Sequence, residues 1–66
     1  MSQLYEMKVL IENKIKADGL DAMEVKGKIG LRTGRMLALI NPSTPDVADD
    51  VVKLRKAAKD VLNINL

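Results

Sequence analysis

Apolar residues recur along this chain at the three- and four-residue spacing of an amphipathic helix. The first stripe predicts a helix over about residues 3–18, and its members are Leu4, Met7, Ile11 and Ile15. Gly19 can take the left-handed backbone conformation that ends a helix, and Leu20 can then fold back onto Ile15. We therefore expect the first helix to stop just before Gly19.

A second, shorter stripe follows at once and predicts a helix over about residues 22–29. Its start is signalled by Asp21 followed by Glu24, since the side chain of Asp21 can accept a hydrogen bond from an unpaired amide of the first turn and acidic charge suits the positive helix end. Its inward positions are Ala22, Val25 and Ile29. We expect this helix to end at Gly30, where the chain would turn and Leu31 would point inward.

A third helix is predicted over about residues 34–41. Thr33 can cap its start, and Pro42 disfavours helical geometry in the residue before it. If the segment is helical, Met36 and Leu39 face inward, while Leu37 and Ile40 lie on its outer face. The second and third helices would then be joined by a tight turn.

The fourth predicted helix covers about residues 45–62. Thr44 is its expected N-cap and Pro45 its first residue, a position where proline is favoured. Its inward stripe consists of Val47, Val51, Leu54, Ala58 and Val61. The tail after Leu62 carries two large apolar side chains, Ile64 and Leu66, so we expect it to pack rather than fray.

The stretch from Gly19 to Asn41 resembles the helix-turn-helix of phage repressor and Cro-type regulators. The resemblance rests on these turn and apolar positions: Val25, Ile29, Gly30, Leu31, Met36 and Leu39. The four predicted helices form an all-α, compact domain, and the resemblance implies that its third helix enters the major groove of duplex DNA. The DNA-contacting side chains that it implies are Lys28, Arg32, Thr33, Arg35 and Asn41. Arginine suits this role because it binds phosphate, or guanine in a bidentate manner.

A second function class stays open because the outer face of the predicted third helix is apolar. Such a face is typical of a helix that is buried, either within the bundle or across a dimer interface. The alternative is therefore a helical protein-interaction or homodimerisation module that binds no nucleic acid. Its candidate interface residues are Leu37, Ile40 and Leu66.

Composition narrows the choice of function. Sixty-six residues allow one domain, and the net charge of +2 permits a basic face. Without cysteine or histidine the usual ligands of zinc, haem and iron-sulfur clusters are missing, and we expect no catalytic residues, metal or cofactor. The longest apolar run, residues 36–40, is far too short to cross a membrane. We therefore expect a cytoplasmic, non-enzymatic protein whose partners are duplex DNA and a second copy of itself.

Overall fold

The computed structural model describes residues 2–66 of the chain. They form three α-helices and one turn of 3₁₀-helix: α1 Gln3–Ala17, α2 Ala22–Thr33, the 3₁₀ turn Leu37–Leu39, and α3 Ala48–Leu62. The predicted all-helical class is confirmed, and no strand occurs in this part of the chain. The predicted number of four α-helices is wrong, because the segment expected to form the third helix contains only the 3₁₀ turn.

Two helix boundaries lie where the sequence predicts them. Gly19 is left-handed, with φ 62°, and the amide of Leu20 donates to the carbonyl of Ile15 at 2.9 Å. This pair of features ends α1. Asp21 caps α2, since its carboxylate accepts from the amide of Glu24 at 3.2 Å. Both boundaries depend on contacts between near neighbours in sequence.

The start of α1 is held by a carboxylate from a distant part of the chain. Asp46 accepts hydrogen bonds from the amide of Gln3 at 2.8 Å, the amide of Leu4 at 2.9 Å and the hydroxyl of Ser2 at 3.2 Å. The backbone N–H of Gln3, and next that of Leu4, hold the pKa of Asp46 below its ordinary value. We call these four residues the Asp46 clasp.

The second helix runs past its predicted end. It continues through Gly30 to Thr33 and is ended by Gly34, which has φ 69° and donates its amide to the carbonyl of Gly30 at 2.8 Å. Thr33 therefore does not cap a third helix. Its hydroxyl lies 3.0 Å from the carbonyl oxygen of Ile29 and closes the last turn of α2 instead.

The segment after Gly34 folds over the core without forming an α-helix. Leu37 and Ile40, three residues apart, are only 2% and 3% exposed, and this spacing suits a 3₁₀ turn. The ammonium of Lys8 on α1 donates to the carbonyl of Ile40 at 2.8 Å. A lysine of one helix thus holds the end of the 3₁₀ turn in place.

Inward and outward faces are reversed between residues 31 and 40 relative to the prediction. Leu31, Met36 and Leu39 were expected inside, yet they are 88%, 64% and 67% exposed. Leu37 and Ile40 were expected on the outer face and are buried. The reversal has one cause: α2 gains a further turn, and the residues beyond it do not follow the 3.6-residue period.

The last helix begins at Ala48, three residues later than predicted, with Val47 as its N-cap. The hydroxyl of Thr44, the predicted cap, accepts from the amide of Asn41 at 2.9 Å instead. The tail packs as expected, since Ile64 and Leu66 are partly buried against the core.

The core lies between the three helices and the 3₁₀ turn. Its buried apolar residues are Leu4, Met7, Ile11, Ile15, Val25, Ile29, Leu37, Ile40, Val51, Leu54, Ala57, Ala58 and Leu62. Within residues 2–66, each buried polar side-chain atom has a hydrogen-bond partner. None of the helices in these residues is long and apolar enough to cross a membrane.

A candidate interaction surface on the second helix

The outward face of α2 carries two large apolar side chains that the chain leaves uncovered. Met23 is 85% exposed and Leu31 is 88% exposed. They lie two turns apart on one face of the helix, with Gly27 midway between them. Val25 and Ile29, which enter the core, occupy the opposite face. The exposed face is thus directed away from the core.

A groove of about 830 Å³ runs along this face. The segment after α2 folds back beside the helix, so that the carbonyl oxygen of Arg35 would lie 3.6 Å from a Cβ built on Gly30. We name this feature the α2 groove and define it by Met23, Gly27, Gly30, Leu31, Gly34 and Met36, all of which line it. Three of these six residues are glycines, and the other three are large apolar residues.

The backbone requires a glycine at position 34 of the groove but not at position 27. Gly34 has a positive φ that other residues adopt only with strain. Gly27 has ordinary helical geometry, and a Cβ built there would meet no atom within 4 Å. Glycine inside a helix costs about 0.5–1 kcal/mol relative to alanine. The fold of the single chain therefore gives no reason for glycine at this position.

The basic side chains near the groove are mostly engaged in ion pairs. The pairs are Lys26 with Glu12 at 3.0 Å, Lys28 with Glu24 at 3.1 Å, and Arg35 with Asp50 at 3.1 Å. Arg32 forms none of the ion pairs found within residues 2–66, and its guanidinium donates to the carbonyl of Lys28 at 3.3 Å. Arg32 is thus the cation of α2 that is left for an outside partner.

The five predicted DNA-contacting residues are not displayed on one helix. Lys28, Arg32 and Thr33 belong to α2, and Arg35 follows it. Asn41 lies in the loop before α3, where its side-chain oxygen accepts from the amide of Ser43 at 2.8 Å. The helix that was expected to carry this set into the major groove is not formed.

The three predicted interface residues are largely used by the chain itself. Leu37 and Ile40 belong to its core, and Leu66 is partly buried against that core. This arrangement corresponds to burial within the bundle, the first of the two explanations for the apolar outer face. Leu37 and Ile40 are therefore inaccessible to a partner, and Leu66 is accessible only in part.

The residues that do offer an apolar surface were missed at the level of sequence. Met23 and Leu31 share a helical face only if α2 continues through Gly30, and the prediction ended it there. The available signal was the four-residue spacing of Met23, Gly27 and Leu31. It alternates large and small residues along one stripe.

The described residues hold no group of three or more acidic, histidine or cysteine side chains arranged to bind a metal ion. Comparison of the chain with protein family models, curated proteins and solved structures found no match. The resemblance to repressor and Cro-type regulators thus stays a prediction.

Proposed function

We propose that this chain is a small helical protein-interaction module that binds an apolar partner surface through the α2 groove. The proposal rests on one observation: Met23 and Leu31, each more than four-fifths exposed, line the same groove, with Gly27 between them on one face of α2. Burying one such side chain completely contributes about 1.5–3 kcal/mol. A partner that covers both therefore gains several kcal/mol before the costs of association.

The composition of the groove suits a protein partner. Methionine is enriched in interfaces between proteins, and its flexible thioether adapts to different shapes. The exposed glycine backbone admits the side chains or the backbone of a partner helix at close range. Such a helix would place apolar residues in the groove, as in other complexes in which a helix binds an apolar groove.

Duplex DNA is a less well supported partner than the sequence suggests. The expected recognition helix is not formed, and Lys28 and Arg35 would have to leave their acidic partners to contact phosphate. If DNA binding nevertheless occurs, its affinity will fall steeply with salt concentration. Titration of labelled duplex at low and moderate salt measures this directly, and we expect no salt-sensitive binding.

The interaction proposal is tested with a synthetic helical peptide of about 18 residues that carries a leucine stripe and glutamates elsewhere. Backbone amide shifts of the ¹⁵N-labelled protein report where it binds. We expect shift changes at Met23, Gly27, Leu31 and Gly34 and none around Leu10, an exposed leucine on α1.

The matched controls are a peptide of the same composition in scrambled order and the variant Leu31→Ser. Both should abolish the shift changes, because one lacks the apolar stripe and the other a wall of the groove. Equal binding of the scrambled peptide, or shift changes centred on Leu10, would contradict the proposal.

A further inference from the structure

We propose that the occupant of the α2 groove is the α2 helix of a second copy of this chain, related to the first by a twofold axis. The two helices run antiparallel. This inference rests on the proposed function, because it names the partner of the same surface. Three features of α2 support it: the exposed apolar side chains, their alternation with glycines, and the arrangement of charge along one flank.

The large and small residues of the groove are complementary to themselves. A twofold axis at the level of Ile29 is equally far along the helix from Gly27 and from Leu31. Each Leu31 therefore faces Gly27 of the other copy. Met23 and Gly34 lie at nearly equal distances from the same level, so they face each other in the same way. A twofold interface requires such self-complementarity, since one patch must fit its own copy.

This arrangement explains why position 27 is a glycine. A side chain there would occupy the space into which Leu31 of the second copy is inserted. The cost of about 0.5–1 kcal/mol for a glycine within the helix is then offset by burial of a leucine that is 88% exposed in the single chain. The same contact occurs twice in a symmetric dimer.

The charges on the flank of α2 also favour a second copy. Glu24 lies in the first turn of the helix and Arg32 in its last turn. With the axis at the level of Ile29, antiparallel pairing brings Glu24 of one copy level with Gly34 of the other, two residues or about 3 Å along the helix from Arg32. Arg32 forms no ion pair within residues 2–66. The lysines nearest the axis, at position 28, are each balanced by their own Glu24 at 3.1 Å. The side chains of Glu24 and Arg32 are long enough to span the offset along the helix, so one Glu24–Arg32 pair forms on each side of the twofold axis.

Sedimentation equilibrium over a range of protein concentrations tests the proposal. We expect a monomer–dimer equilibrium in the wild type, and a rise of at least about tenfold in the dissociation constant for Leu31→Glu. The matched control is Leu10→Glu, which changes an exposed leucine on α1 and should leave the equilibrium unchanged.

Gly27→Leu provides a variant whose fold is not at risk. Position 27 is helical and open, and leucine is a better helix former than glycine, so the single chain should gain stability. The dimer should nevertheless dissociate, because the added side chain fills the place of Leu31. Loss of association together with higher monomer stability separates an interface effect from unfolding.

Charge exchange tests the antiparallel geometry. Arg32→Glu should weaken association, and Glu24→Arg combined with Arg32→Glu should restore part of it, because the pair is rebuilt with reversed signs. Failure of the double variant to recover any association would overturn this geometry.

The failure of this inference is distinguishable from that of the proposed function. If the chain is a monomer at all concentrations while the striped peptide still shifts the groove amides, the second copy is overturned and the interaction module stands. If neither association nor peptide binding occurs, both are overturned. A dimer that Leu10→Glu dissociates and Leu31→Glu does not would place the interface on α1 and overturn both.

Discussion

Two glycines have opposite effects on stability, although Gly27 lies within α2 and Gly34 ends the same helix. Gly34 needs its positive φ to end the helix, so Gly34→Ala should lower the free energy of unfolding by about 1 kcal/mol. Gly27 has no such need, and Gly27→Ala should raise it by about 0.5–1 kcal/mol. Urea denaturation at low protein concentration, where association does not contribute, measures both. Shifts in the same direction for the two variants would contradict this account.

Asp46 makes stability depend on pH in the acid range. Its pKa is lowered in the folded chain, mainly by the amides of Gln3 and Leu4. Such a group contributes fully above its ordinary pKa of 3.8, and the contribution is lost as the pH falls through the lowered value. Asp46→Asn should therefore lower the melting temperature near neutral pH, and the difference from wild type should shrink below pH 3.8.

The control for this prediction is Asp60→Asn, which removes an exposed carboxylate near the end of α3. Thermal melts of the three proteins across the acid range should show a shrinking difference only for Asp46→Asn. A difference between wild type and Asp46→Asn that stays constant down to the lowest pH would show that the ionised carboxylate is not the stabilising group.

Between elements, Lys8 joins α1 to the 3₁₀ turn. Lys8→Met keeps the apolar stem of the side chain and removes the ammonium that bonds the carbonyls of Ile40 and Ala38. We expect a loss of about 1.5–3 kcal/mol in unfolding free energy, the range for hydrogen bonds to charged groups. The amide protons of Leu39 and Ile40 should also exchange faster, because the turn that protects them is loosened.

The comparison for Lys8→Met is Lys56→Met, at an exposed position of α3. It should change neither stability nor exchange in the 3₁₀ turn. Equal effects of the two substitutions would mean that loss of positive charge in general, rather than the bond to Ile40, accounts for the result.

The elements also show which parts of the fold the sequence makes predictable. The predicted end of α1 and the predicted start of α2 are correct, because Gly19 and Asp21 act on residues within one turn of themselves. The predicted end of α2 is wrong, because both Gly30 and Gly34 can adopt the left-handed conformation that ends a helix. The choice between them depends on whether Leu37 and Ile40 reach the core, which is a tertiary contact.

The same limit applies to the Asp46 clasp and to the candidate site. Asp46 stabilises a helix whose first residues precede it by 42 to 44 positions, and a local pattern carries no sign of that pairing. The α2 groove depends in turn on the extra turn of α2. The apolar stripe of α1 was predictable, whereas the exposed stripe of Met23 and Leu31 required the correct helix length.

For the whole molecule, 29 Å long and 20 Å across, the tail completes the core. Leu66 is partly buried against it, so Leu66→Ser should lower the free energy of unfolding by about 1 kcal/mol. Self-association should stay unchanged, since the α2 groove does not include this residue. Denaturation combined with sedimentation distinguishes the two effects.

Leu39→Ser is the matched control for the tail. Leu39 is 67% exposed and lies outside the α2 groove, so this substitution should leave both stability and association near the wild-type values. If Leu66→Ser instead weakened association and left monomer stability intact, the tail would be an interface segment, as the sequence first indicated.

The Asp46 clasp has a consequence for the rates of folding. Helical domains fold fast because most of their contacts are local, and contacts between remote residues tend to form late. The clasp joins residues more than 40 positions apart, so it should be absent from the transition state. An interaction absent there slows unfolding without accelerating folding. The clasp therefore lengthens the lifetime of the folded chain, while the time needed to reach that state is set by the helices alone.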